Sequence, residues 1–289
     1  MQASNYKELL KFVASMIIFG TNGLLVNHIN LSSAEIVLLR TFFGTLFLLL
    51  VVMLTGRFDF AALKVDTLMA TLGGAALGTN WMLLFAAYRE ASVSLATLTY
   101  YCGPMLVLAL SPLLFGEKLT GSKMMAIAAV AVGMLCISGS IDFSASGLGL
   151  LFGAGAALFY AALIIFNKKV KRLSGLHCAL YELAVAFVVI LIYLLASGVQ
   201  LPIIPAAGEW PYVLTIGLLN TGVAYYLYFS SLQKLAGQTV ALICYIDPLS
   251  ALLLAAIFLH ESLLPIQMLG AVLIMGGAIW GELAGSKQK

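Results

Sequence analysis

Charge is what this chain has least of. Only 9% of its 289 residues are Asp, Glu, Lys or Arg, against about 25% in an average soluble domain. A water-facing surface cannot be built from so few charges, so a soluble globular protein is excluded. The few charges that exist are scattered along loops, and a net charge of +3 is no footprint for a nucleic-acid partner. Histidine is represented by His28, His177 and His260 alone. His260-Glu261 has no second histidine one turn later, so it fails as a zinc-protease motif. The four cysteines, Cys102, Cys136, Cys178 and Cys244, show no ligand spacing, sit in apolar runs and read as small buried packing residues. A phosphate-cradling glycine loop, a Gly-flanked nucleophilic serine and a pair of aspartates on facing spans are all missing. An enzyme is not expected, nor is a metal or any other cofactor.

What the chain has is apolar length. Hydrophobic residues make up 62% of it and the mean hydropathy is +1.07, values of a polytopic membrane protein. A helix needs about 20 residues to cross the hydrocarbon core. The apolar runs divide into ten spans: 9–27, 33–55, 67–88, 92–115, 120–139, 147–167, 175–197, 210–231, 236–259 and 264–284. The predicted fold class is therefore all-α and multi-pass, embedded in the lipid bilayer. The first run is read as a retained span, since no small-residue cleavage site follows it.

The distribution of Lys and Arg orients the spans. With the N-terminus inside, Lys7, Lys11, Arg57, Lys64, Lys118, Lys123, Lys168, Lys169, Lys171, Arg172, Lys234, Lys287 and Lys289 all fall at the cytoplasmic side. Arg89 is left outside and Arg40 lies within a span. Both termini are expected in the cytoplasm, which requires an even number of spans.

The chain is also duplicated. Residues 70–119 lie on residues 214–263 without a gap, with about a dozen identities. Among them Gly78 falls on Gly222, Phe85 on Phe229, Tyr101 on Tyr245, Pro104 on Pro248 and Glu117 on Glu261. The expected units are residues 1–141 and 142–289, five spans each. Five is odd, so the second set enters from the opposite face and the repeats are inverted. Such a pair has two similar conformations, one open to each side, the basis of alternating access in secondary transporters. A duplicated scaffold without transport, and a channel, are the alternatives.

Two matched stretches carry a resemblance to a known family. ASVSLATLTYYCGPMLVLALSPLLFGEKLTG, from Ala91 to Gly121, resembles the core of the EamA repeat of the drug/metabolite transporter superfamily, and LAGQTVALICYIDPLSALLLAAIFLHESLLP, from Leu235, repeats it. The shared marks are a small or polar helix start, a mid-span proline, and a Glu before the final helix of each repeat. Arg40, after SSAEIVLL, also matches the family's habit. The resemblance implies a ten-helix exporter of small metabolites, similar to bacterial inner-membrane exporters of amino acids, aromatic ones included. Other metabolites, nucleobases and cationic drugs are alternative substrates.

The candidate site residues follow from position and chemistry. Pro104 and Pro248 lie near the middle of spans four and nine, where each removes a backbone hydrogen bond; they are candidate hinges, or static kinks. Around them lie Asn80 and Trp81 of span three, Thr97, Tyr100 and Tyr101 of span four, Tyr225 and Tyr228 of span eight, and Tyr245 of span nine. An apolar ring with a polar tip suits the wall of a mixed-polarity cavity, or else a membrane interface. Arg40, Glu182 and Asp247 are ionisable groups inside the membrane, which default to functional candidates. Arg40 and Glu182 could form an ion pair across the pseudo-twofold or snorkel to headgroups. Asp247 and Glu182 are candidate carriers of a coupling proton. Glu117 and Glu261 are expected to offset the dipole of the helix that follows each.

Overall fold

The computed structural model of the chain describes residues 3–55, 60–90, 99–117, 120–137, 147–258 and 264–286. The described residues are helical with short joints. In chain order the helices are α1 Ala3–Gly20, α2 Asn22–Val26, α3 Ser33–Thr55, α4 Phe60–Glu90, α5 Cys102–Phe115, α6 Gly121–Ile137, α7 Gly147–Lys169 and α8 Gly175–Ala196. They continue with α9 Trp210–Thr215, a wider π-helical segment Ile216–Val223, then α10 Ala224–Leu232, α11 Gly237–Ile243, α12 Ile246–Phe258 and α13 Pro265–Ser286.

Uninterrupted apolar sequence makes these helices, because only a helix satisfies every backbone polar group within its own segment where no water is present. Among the described residues, six helical segments are long and apolar enough to cross a membrane: 6–26, 33–54, 147–169, 175–196, 207–232 and 237–258. Large apolar side chains such as Leu50, Met53, Leu113, Leu151, Ile192, Val272 and Trp280 point outward. In water such a surface would aggregate, whereas against lipid tails it costs nothing.

The interior is closed by small residues. A methyl group on Gly175 would lie 2.2 Å from Ser230 Cα, and one on Gly74 would lie 2.7 Å from the Glu182 carbonyl. α4 packs on α7 and α8, α1 on α10 and α12, and α6 on α13. In the last pair Gly133 meets the Gly270 carbonyl and Gly277 meets that of Ala126, the close backbone approach that small residues permit. Cys178 and Cys244 are buried as expected, whereas Cys102 is exposed at the start of α5. That departs from its expected burial, because its helix begins at Cys102 itself.

Asp66, one residue ahead of the third apolar run, fixes the turn between α7 and α8. Its Oδ2 accepts from the backbone N–H groups of Lys171 at 3.1 Å, Arg172 at 2.5 Å and Leu173 at 2.8 Å. Burial pushes this carboxyl up, but the three donors outweigh it and hold the group below the usual carboxylate range. A depressed folded value means that the stabilisation is present above the ordinary carboxylate pKa and is lost as pH falls through the folded one. Asp66→Asn should therefore melt earlier than wild type at neutral pH, with the gap closing in acid. Parallel thermal unfolding in detergent at the two conditions checks this.

Candidate functional site

Spans four and nine are broken where the duplication aligns them. In the second repeat α11 ends at Ile243 and α12 begins at Ile246, so Cys244 and Tyr245 lie in the joint. In the first repeat Tyr101 occupies the joint that precedes α5. Pro104 and Pro248 are each the third residue of the helix that follows. The expected mid-helix kink is thereby corrected. A proline in a first turn sacrifices no hydrogen bond, since the first four N–H groups of a helix have no intrahelical acceptor. The proline within α5 is Pro112 instead. The Leu108 carbonyl that it deprives of a donor is served by Ser111 Oγ at 2.9 Å.

The two joints are tied to each other. Tyr245 Oη donates to the Tyr101 carbonyl at 2.6 Å, and Tyr101 Oη donates to Asp247 Oδ2 at 3.1 Å. The Tyr101 and Tyr245 ring centroids are 6.0 Å apart. Tyr100 continues the wall, 5.1 Å from Tyr160 of α7 and parallel to it within 8°. Tyr225 meets Trp81 edge-on at 5.7 Å and Phe19 at 4.9 Å. Tyr228 stacks on Phe12 at 5.2 Å. Tyr226, between them, turns outward. Of the predicted residues, Trp81, Tyr100, Tyr101, Tyr225, Tyr228 and Tyr245 thus belong to one packed aromatic cluster around the joints. Thr97 lies outside the described residues.

The π segment explains why these walls include a charge. Its wider turns present Thr221 Oγ1 to Arg40 Nε at 2.9 Å, while that hydroxyl donates back to the Ile216 carbonyl at 2.9 Å. π turns of this kind recur at functional sites. The Arg40 guanidinium lies over the Trp81 ring, 4.8 Å from its centroid. Asn220, next in the segment, clamps the break between α1 and α2 by donating to the Ile18 carbonyl at 2.9 Å and to Thr21 Oγ1 at 2.8 Å. Asn80 of α4 donates to the Ala156 carbonyl of α7 at 2.6 Å. In both repeats, therefore, an asparagine holds the backbone of the other repeat's first span. Asn80 is a brace between helices rather than a group pointing into open space.

Glu182 lies elsewhere. Fully buried on α8, its carboxylate takes both hydrogen bonds from Asn167 Nδ2, at 2.7 and 2.8 Å, with Cys178 Sγ at 3.5 Å from Oε1. Gly73 leaves the space it fills, for a methyl group there would lie 2.6 Å from Oε1. Arg40 and Glu182 are not paired in this structure. Each has another partner, Thr221 for Arg40 and Asn167 for Glu182.

Glu117 caps a helix, but not the one expected. Gly116 takes the left-handed conformation (φ +66°) that ends α5, and the chain turns so that Glu117 Oε1 accepts from Gly237 N at 2.6 Å and Oε2 from Gln238 N at 3.0 Å. The capped helix is α11 of the other repeat, not the following α6. Glu261 lies outside the described residues. Ser111, Lys123 and Gln238 complete the knot: Gln238 Nε2 reaches Ser111 Oγ at 2.8 Å and Lys123 Nζ reaches Gln238 Oε1. Lys168 Nζ meets the Leu235 carbonyl, and Glu8 ties Lys11 to Lys234, both at 3.1 Å. These contacts tie the two repeats to each other at this end of the bundle. Near the other ends of α3, α4 and α8 a crevice of about 200 Å³ is lined by Val37, Met82, Glu90, Ile190 and Tyr193 among others. Removing the cap as Glu117→Ala should cost about 1–2 kcal/mol, readable as a lower melting temperature, with Glu117→Gln falling between.

Comparison with known proteins identifies the family and the fold. The model of the EamA-like transporter family matches residues 7–139 and again residues 147–280. The chain is 33% identical over 275 residues to an uncharacterized transporter, YxxF, of Bacillus subtilis (strain 168), covering 93% of this chain and 87% of that one. It is 23% identical over 199 residues to the aromatic amino acid exporter YddG of Ancylobacter novellus, covering 67% and 68%. A crystal structure superimposes with a TM-score of 0.85 over 97% of this chain and 99% of the other, at 19% identity, which is a likeness of fold.

Proposed function

The chain belongs to the EamA-like transporter family, a multi-pass membrane protein, and on that premise we propose that it exports small metabolites, amino acids including aromatic ones, by alternating access. The observation that carries the reading is the pair of broken spans. Joints at Tyr101 and Tyr245, tied together between walls of aromatic rings, put irregular backbone and hydroxyl groups at the contact of the two repeats. Broken helices at a repeat interface are where carriers of this design bind substrate. Rings suit an aromatic solute, and the joints are the hinges beside Pro104 and Pro248. The distant likeness to an aromatic amino acid exporter points the same way.

The proposal comprises ten crossings, five in each repeat, the repeats inverted and both termini cytoplasmic in a bacterial inner membrane. Residues 1–141 and 142–289 are the two units. The segregation of Lys and Arg supports this topology. In a cysteine-free background, an impermeant thiol reagent should label Gln200→Cys from outside intact cells and spare Lys171→Cys; the reverse pattern overturns the orientation. Protons are the proposed coupling ion. Cells loaded with phenylalanine should release it faster when they express the protein. An unchanged release rate overturns export of aromatic amino acids.

A further inference from the structure

Two opposite charges face the aromatic walls without meeting. Arg40 is 9% exposed and spends only Nε on the protein, at Thr221. Its two Nη groups, fanned beside Trp81, carry no hydrogen bond to the described residues. Asp247 accepts from Tyr101 Oη through Oδ2, and its Oδ1 takes no side-chain donor among the described residues. The two groups are not within ion-pair distance, yet each lies in the other's field, and Tyr225 lies in the field of both. A third observation is independent of the charges. The Tyr228 hydroxyl, on a side chain only 2% exposed, has no hydrogen-bond partner among the described residues. Buried hydroxyls are nearly always satisfied, so an orphan one calls for a missing partner.

Unpaired charges in a low-dielectric setting are expensive. Arg40 and Asp247 nevertheless stand apart, held there by Thr221 and Tyr101. A guanidinium with a free planar edge accepts a carboxylate in two parallel hydrogen bonds. A carboxylate with one free oxygen accepts an ammonium. A ligand bearing both groups neutralises both residues at once, while one bearing a single charge leaves the other residue bare.

We propose that Arg40 and Asp247 are the two ends of a zwitterion site, Arg40 taking the α-carboxylate and Asp247 the α-ammonium of an amino acid. The ring of the ligand lies among Trp81, Tyr225 and Tyr245, with Tyr228 Oη as a polar contact along its edge. This assignment rests on the amino-acid reading above and narrows it: the substrate class is the free zwitterionic α-amino acid, and neither the amine nor the acid alone substitutes for it.

Competition for labelled phenylalanine on the purified protein tests the assignment. Phenethylamine lacks the carboxylate and 3-phenylpropionate lacks the ammonium. On wild type each should compete on the order of ten- to a hundredfold more weakly than unlabelled phenylalanine, the worth of a lost hydrogen-bonded charge. Arg40→Gln and Asp247→Asn should each weaken phenylalanine binding to a similar degree. They should also diverge: Asp247→Asn should narrow the handicap of phenylpropionate and Arg40→Gln that of phenethylamine. Arg40→Lys, which keeps the charge but not the fork, should fall between. A folding defect would abolish all binding and is separated from loss of a charge by this crossed pattern, and by unchanged gel-filtration profiles. If phenylalanine binds and both analogues compete equally well, the zwitterion site is wrong while the amino-acid reading stands. If phenylalanine does not bind wild type at all, both fall together.

Discussion

Tyr245→Ala is expected to abolish transport while leaving the protein inserted in the membrane and folded. The side chain is 2% exposed. Its ring packs against Tyr101 at 6.0 Å, and its hydroxyl donates to the Tyr101 carbonyl at 2.6 Å. Removing the ring unlinks the joint of span nine from that of span four. The lateral contacts of α12 with α1, and of α11 with α5, survive, so the helices remain held. Tyr245→Phe isolates the hydroxyl: one net hydrogen bond of about 1 kcal/mol should lower the rate several-fold to about tenfold. Tyr101→Phe should behave similarly, through loss of its bond to Asp247. Uptake into vesicles, normalised to protein recovered in the membrane, measures both. Wild-type rates in the alanine variant would remove Tyr245 from the pathway.

The second large effect is expected at Glu182. Its carboxylate lies among Asn167, Cys178 and Gly73, with no cation of the described residues within ion-pair reach. A charge so placed is costly, whereas a protonated carboxyl is not. The groups facing it are few: Cys178 on its own helix, Asn167 on α7, and Tyr225 and Tyr228 on α10 in its electrostatic range, with Asp66 of α4 near Cys178. The proposed rocking of the repeats would bring water to α8 and let Glu182 release a proton there. Transport by wild type should therefore depend on pH, and Glu182→Gln, a permanent mimic of the protonated form, should flatten that dependence. Flux driven by a pH gradient should fall at least tenfold while exchange of substrate for substrate at uniform pH persists. A Glu182→Gln variant with the pH profile of wild type would exclude this residue from coupling and leave Asp247 as the remaining carboxylate.

Much of this architecture is legible in the residue order, and the failures have physical causes. Apolar runs, the duplication and the family follow from hydrophobicity and two matched stretches, properties that survive without knowledge of contacts. The aromatic walls are also legible in part, because Tyr101 and Tyr245 sit at equivalent mid-span positions. The joints are less so: no glycine or polar cluster marks Cys244-Tyr245, and Pro248 reads as a kink in a continuous helix when it opens a new one. Glu117 is recognisable as a helix cap, but which helix it caps depends on the left-handed Gly116 and on the docking of the other repeat. IGLLNTGV reads as ordinary helix, and nothing in it announces the wider turns that bring Thr221 to Arg40. Phe12, Phe19, Tyr160 and Asn167 escape sequence reasoning because one aromatic or amide in a span is indistinguishable from packing until its neighbours are known. The Arg40–Glu182 pair is the converse case, two buried charges that each have another partner.

Substrate counterflow in proteoliposomes tests the central claim most directly, that the broken spans form the site of a carrier. Vesicles loaded with unlabelled phenylalanine and diluted into labelled phenylalanine should accumulate label transiently above equilibrium, as a site that faces one side at a time requires. The overshoot should vanish in Tyr245→Ala. Label that rises only to equilibrium, at the same rate whether or not the vesicles are preloaded, would contradict alternating access and make the protein a passive pore.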